Sequence, residues 1–205
     1  YTVLGDVNQT IGKVEDERVY DTIERILARK KSLRITMHKS FRCTNQIIRF
    51  SAQFIDARFG LESFNRDGAP VELRGCRDTD EELRELSRQV KTMRDAGCGN
   101  VAVITKTAAQ AAALYAQTDM DAQLIVRDKE YDLKGTLILP VYMAKGLEFD
   151  GVVIVDADDE NYRKEDDRRL LYVACTRALH RLAVLSAGTR SRFITNEPEQ
   201  EEAHV

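Results

Sequence analysis

The stretch Thr136-Leu137-Ile138-Leu139-Pro140-Val141-Tyr142-Met143-Ala144-Lys145-Gly146-Leu147-Glu148-Phe149-Asp150-Gly151-Val152-Val153-Ile154-Val155-Asp156 decides the fold. Two short, largely apolar runs, 136–141 and 152–155, flank a polar turn. Runs that lack hydrophobic alternation are buried on both faces, as strands of a parallel sheet between helices are. The same texture extends outward. Further strands are expected at 2–5, 33–37, 71–73, 101–105, 124–126 and 182–186. Between them, Val19, Ile23, Ile26 and Leu27 form one helical stripe, and Leu83, Leu86, Val90 and Met93 another, both read as core faces. Thr44 is placed to cap a helix after Arg42, acidic residues open another near 78–82, and a third is expected from Glu165 through Ala178. The segment 119–135 reads as a short strand and hairpin. The pattern as a whole is α/β, a mostly parallel sheet with helices on both faces.

The chain has 205 residues, 43% hydrophobic and 32% charged, enough for one large domain with a short appendage. No apolar run is long enough for a membrane span. The formal net charge of -3 argues against a surface that grips phosphate backbones everywhere, so any nucleic-acid contact must be local. Cys43, Cys76, Cys98 and Cys175 stand far apart with no C-x-x-C pair, which points to free thiols of a reducing cytoplasm rather than zinc ligands. Tyr1, with neither an initiating Met nor a leader, reads as the start of an excised piece.

Four stretches carry candidate chemistry. In Val3-Leu4-Gly5-Asp6-Val7-Asn8-Gln9, an apolar strand ends near a Gln whose amide is suited to sensing a terminal phosphate; a plain turn is the alternative. In Ser40-Phe41-Arg42-Cys43-Thr44, a guanidinium precedes a helix, which suits an anion site, though a surface arginine would read the same way. In Ala144-Lys145-Gly146-Leu147-Glu148-Phe149-Asp150, Gly146 permits close backbone approach and Glu148 has acceptors for ribose hydroxyls. In Leu170-Leu171-Tyr172-Val173-Ala174-Cys175-Thr176-Arg177-Ala178, the apolar residues read as core. Arg177, placed on the helix beside small residues, is expected to project into a cleft.

Together these stretches resemble motifs III, IV, V and VI of superfamily-1 helicases, in order. The resemblance implies a RecA-like three-layer fold of the P-loop NTPase type. It implies residues 1–30 as the end of a first RecA-like domain, 31–190 as the second, and 191–205 as a polar tail. ATP is the implied ligand, with Gln9 as coupling residue, Arg42 and Arg177 as phosphate-contacting arginines, Glu148 as ribose contact, and Lys145 and Gly146 beside it. No P-loop is present: Gly5 and Gly12-Lys13 are six residues apart instead of four, and Val14 follows. The resemblance thus assigns Mg²⁺ and the P-loop to an N-terminal RecA-like partner domain, and no metal to this chain. The isolated chain is expected neither to bind ATP tightly nor to hydrolyse it. Val152–Asp156, which looks like a magnesium-holding strand, reads as structural.

UvrD-type helicases insert a large subdomain between motifs IV and V, whereas about 100 residues separate Arg42 from Lys145 here. They also open motif V with a Thr and a His that touch single-stranded DNA. Pro140 and Tyr142 stand in those places, leaving Tyr142 as the candidate nucleic-acid contact. The spelling 139–150 followed by 171–180 looks most like the HelD group, which implies a cytoplasmic ATPase with DNA and RNA polymerase as partners; the alternative is a non-catalytic module of a HelD-like factor that docks on RNA polymerase or DNA.

Overall fold

The computed structural model describes residues 18–27, 35, 39–40, 42–55, 62–63, 66–127 and 131–195. The expected strand 2–5, most of 33–37, and Gln9 lie outside the described residues. Six strands form one sheet in the order β3-β8-β7-β4-β6-β5: β3 Glu72–Cys76, β4 Asn100–Thr105, β5 Ala122–Leu124, β6 Gly135–Pro140, β7 Phe149–Ile154 and β8 Ala178–Ala187. All five pairings are parallel. A separate parallel pair, β1 Lys39–Ser40 and β2 Glu62–Ser63, precedes it.

The apolar runs are central strands because both faces are covered. In β4, Ala102 and Ile104 face one core while Val101 and Val103 face the other; in β7, Val152 and Ile154 oppose Val153 and, just past the strand, Val155. Helices α2 (Asn45–Ala52) and α5 (Glu165–Cys175) cover the first face through Ile47, Phe50, Leu171 and Ala174. Helix α3 (Thr79–Asp95) covers the second through Leu86, Val90 and Met93, with Ala111 of α4 (Ala108–Gln117). Asp78 caps α3 by accepting from the Glu81 amide, and Thr107 and Gln110 form a capping box on α4. The expected three-layer α/β architecture is present.

Four expectations change. Helix α1 (Arg18–Leu27) forms, yet Ile26 stays 69% exposed and Ile23 and Leu27 are half-buried, because helical periodicity marks a face able to be buried without naming what buries it. Thr44 occupies the N-cap position of α2, but its side chain makes no capping bond. The segment 119–135 is not a hairpin: β5 runs parallel to β6, and the chain returns to the same sheet edge before Gly135 turns at φ 78°. Helix α5 stops at Cys175, and Ala178 already belongs to β8. The Thr176 hydroxyl donates to the carbonyls of Tyr172 and Val173, a local alternative to another helical turn.

Packing continues to Thr195. Ser191 and Ile194 are buried, and Thr195 donates through its amide and hydroxyl to Gln53 Oε1, tying the segment to the end of α2. All four cysteines are free and buried.

One buried carboxyl lies against the carboxyl end of β7. Glu82 is 4% exposed and accepts the amide of Asp156, which leaves the strand at φ 52°. Burial, together with the charges of Asp156 and Asp158, pushes its pKa up to about 7. The folded state therefore holds this proton more tightly than the unfolded chain. The associated stability is complete below about pH 4.5 and lost as pH rises through about 7, on the order of 3 kcal/mol. Glu82→Gln keeps an acceptor for Asp156; it is expected to flatten that decline in melts from pH 4 to 8 and to raise Tm at pH 8.

Candidate nucleotide-facing site at the amino edge of the sheet

Parallel pairing places the site. Phe149, first in β7, is opposite Ala178, first in β8, and the Phe149 amide donates to the carbonyl of Arg177 at 3.0 Å. The residues just before these strands, Glu148 and Arg177, are therefore brought side by side. Arg42 comes from the bend before α2, and its Nε lies 2.5 Å from Glu148 Oε1, with both side chains about two-fifths exposed. Arg42, Glu148 and Arg177 thus meet from three distant segments.

Below the ion pair, Cys43 is buried and its Sγ lies 3.7 Å from the Thr176 carbonyl, joining the two arginine-bearing segments. Burial pushes the Cys43 thiol up to about 11 despite the nearby Arg42 and Arg177, so it remains protonated at neutral pH and able to donate. Arg177 sits in the turn after α5, not on the helix, and is 1% exposed, so it does not project freely into a cleft. Its Nε donates to Val173 O at 3.2 Å, Nη1 to Leu147 O at 3.4 Å and Nη2 to Thr176 Oγ1 at 3.3 Å. The guanidinium answers the C-terminal carbonyls of α5, where a cation is favoured, and ties them to the turn before Glu148. Its pKa is lowered first by burial and then by the like charge of Arg42.

The turn 141–148 crosses from the carboxyl end of β6 to the amino end of β7. Met143, Ala144 and Leu147 donate to Pro140, Val141 and Ala144 in successive short turns, and Gly146 adopts φ 86°, a conformation other residues reach only with strain. Ala144 is fully buried, whereas Lys145 is exposed and Tyr142 is 44% exposed. Tyr142 therefore belongs to the opposite edge from Glu148, separated from it by roughly 15 Å at a strand's rise of about 3.3 Å per residue. Among the described residues no group of three metal-ligating side chains is close enough to hold a metal ion, and no helix is long and apolar enough to cross a membrane.

Two neighbours went unmarked in the sequence, Arg66 and His180. The Arg66 guanidinium lies against the His180 ring, with Nη2 3.2 Å from Nε2 and in contact with Nδ1. A lone Arg in a loop carries no motif that would have flagged it, and His180, though it ends the stretch 171–180 that carries the resemblance, is given no role there.

Residues 136–185 match the family model of the UvrD-like helicase C-terminal domain. Tyr142, Lys145, Gly146, Glu148 and Arg177 lie inside the UvrD-like segment, while Arg42 lies outside it. Similar curated proteins are the DNA helicase II of Escherichia coli K12 and that of Salmonella typhimurium LT2, each 37% identical over 84 residues. Those alignments cover 31% of this chain and 12% of either relative, so the likeness spans a small part of each helicase. A solved structure, the C-terminal domain of a possible DNA helicase from Lactobacillus plantarum WCFS1, superposes with a TM-score of 0.66 at 27% identity. It covers 78% of this chain and 95% of that one, so the three-layer fold is that of a helicase C-terminal domain.

The amino edge has its own clamp. Asp150 Oδ2 accepts the amides of Gly99 and Asn100 at 2.6 and 3.3 Å, and Asn100 Oδ1 accepts the amide of Asp150 at 2.7 Å. Asp150→Ala leaves these strand-start amides without their partner and is expected to cost about 1–3 kcal/mol in a denaturant melt. An unchanged midpoint would remove the clamp from the account of how β7 is held.

Proposed function

We propose that this chain is the second motor domain of an ATP-dependent superfamily-1 DNA helicase or translocase. In this reading it supplies one wall of a nucleotide site shared with an N-terminal RecA-like domain of the same protein, which carries the P-loop and holds Mg²⁺. The observation that carries it is the meeting of Arg42, Glu148 and Arg177 on one edge, Arg42 from a segment more than a hundred residues before the other two.

The residues present suit a polyphosphate. Two guanidiniums are kept close against their mutual repulsion, and an anion bound beside them relieves it. The Arg42–Glu148 pair is a surface ion pair, worth little by itself, so exchanging it for a phosphate on Arg42 and ribose hydroxyls on Glu148 costs little. Arg177, anchored through Val173 and Leu147, is preorganised to stabilise charge developing on the transferred phosphoryl group. Gly146 sets the turn that presents Glu148, with Lys145 adding positive charge at its rim. Gln9, outside the described residues, would couple the γ-phosphate to domain movement.

Tyr142, at the opposite edge, is the proposed contact to DNA, its exposed ring suited to stacking on a base. Residues 66–127 and 131–145 are used up by the loop beside α2, β3, α3, β4, α4, β5, β6 and the following turn, which leaves little for a large inserted subdomain. This favours a compact motor of the HelD type, remodelling RNA polymerase in the cytoplasm.

In the full-length protein, Arg177→Ala is expected to lower ATP turnover by on the order of 10³ or more while nucleotide affinity changes little. Because Arg177 is buried, a thermal melt must accompany the assay; unchanged turnover in a folded variant excludes the role. Glu148→Ala is expected to weaken nucleotide binding about tenfold, near 1.4 kcal/mol, with little change in kcat. Calorimetry giving a wild-type Kd would rule out the ribose contact.

A further inference from the structure

Arg66 is held beside the site by a loop that has little freedom to be elsewhere. Its carbonyl accepts the Asn45 amide at 2.8 Å, Asp67 Oδ1 accepts Asn45 Nδ2 at 2.8 Å, and the Gly68 amide donates to Gln46 Oε1 at 2.8 Å. Residues 66–68 are therefore stapled to the first turn of α2, whose preceding bend carries Arg42. A Cβ on Gly68 would stand 2.4 Å from Thr44 Cγ2, so the loop lies directly on that turn. His180 is exposed near the start of β8, three residues after Arg177, and its ring meets the Arg66 guanidinium.

The Arg66 side chain is exposed and rests on the His180 ring; a neutral ring nitrogen accepts from a guanidinium but never neutralises it. Its field reaches the Cys43 thiol, as do those of Arg42, Arg177 and Glu148. Among the described residues, with Asp67, whose Oδ1 accepts from Asn45 Nδ2, the surroundings of Cys43 hold three guanidiniums against two carboxylates, and Glu148 is paired with Arg42. A cluster with this excess of positive charge, part of it exposed, has a polyanion as its complement.

We infer that Arg66 is a third phosphate-directed cation of the nucleotide site, with His180 as the positioning residue that fixes its guanidinium. This rests on the shared-site reading above, and it adds a contact that the motif residues alone do not supply. The contact is with ground-state nucleotide, so its effect belongs in Kd and KM rather than kcat.

The test is ATP affinity and steady-state turnover in the full-length protein for Arg66→Ala, Arg66→Lys, His180→Ala, the Arg66→Ala/His180→Ala pair, and Arg42→Ala as reference. Arg66→Ala is expected to raise Kd and KM for ATP about tenfold with kcat and Tm unchanged, since the side chain is exposed. Arg66→Lys should recover part of the loss. His180→Ala should give a smaller loss, with the double variant no worse than Arg66→Ala, the sign that His180 acts through Arg66. Wild-type ATP affinity in Arg66→Ala, with Arg42→Ala weakened, overturns this inference and leaves the shared site standing. If both variants bind ATP as wild type does, the nucleotide reading of the edge itself fails. A loss confined to DNA affinity would reassign Arg66 to a nucleic-acid backbone and also overturn the inference.

Discussion

The parallel pairing of β7 with β8 is the constraint on which the rest depends. It sets Phe149 opposite Ala178, and the Phe149 amide bonds to the Arg177 carbonyl, so the residues immediately before both strands share one edge. A register shift of one residue would also turn every side chain of a strand to the other face. Because Val152 and Ile154 fill one core while Val153 and Val155 fill the other, both faces resist such a slip. The register shifts by one residue between Phe149 and Gly151, so it is the bond from the Phe149 amide to the Arg177 carbonyl, beyond that irregularity, that sets Glu148 beside Arg177.

From that edge, the other parts of the site follow by short-range contacts. The buried Cys43 joins the bend before α2 to the turn after α5, carrying Arg42 to the place where Glu148 can pair with it. Arg177 is held by backbone carbonyls of two segments, which makes it part of the framework beneath the Arg42–Glu148 pair. A buried cation with that much support has a fixed position. The strand direction leaves charged residues at the amino edge and the exposed Tyr142 at the carboxyl edge.

Much was legible in the sequence for physical reasons that need no neighbours. Unbroken apolar runs at 101–105, 136–141 and 152–155 announced strands buried on both faces, and Asp78 announced the start of α3. Errors came where a local pattern had more than one tertiary outcome. The stripe of α1 is amphipathic whether or not anything covers it. The segment 119–135 has turn residues suited to a hairpin, yet β5 pairs in parallel. The end of α5 yields to β8, because pairing with Phe149 and the Thr176 hydroxyl together outweigh one more helical turn.

The sequence by itself determined the layer architecture and identified Arg42, Glu148 and Arg177 as residues whose types and order needed an explanation. Those are local properties: hydrophobic period, caps, and charged groups at segment ends. Only the tertiary structure decided that the three meet, that Arg177 is buried in a turn, that Tyr142 stands at the opposite edge, and that Arg66 and His180 belong beside the cluster. Each of these depends on strand order, register and loop docking between residues far apart in the chain, and such long-range pairings leave no periodic signal in the sequence of either partner.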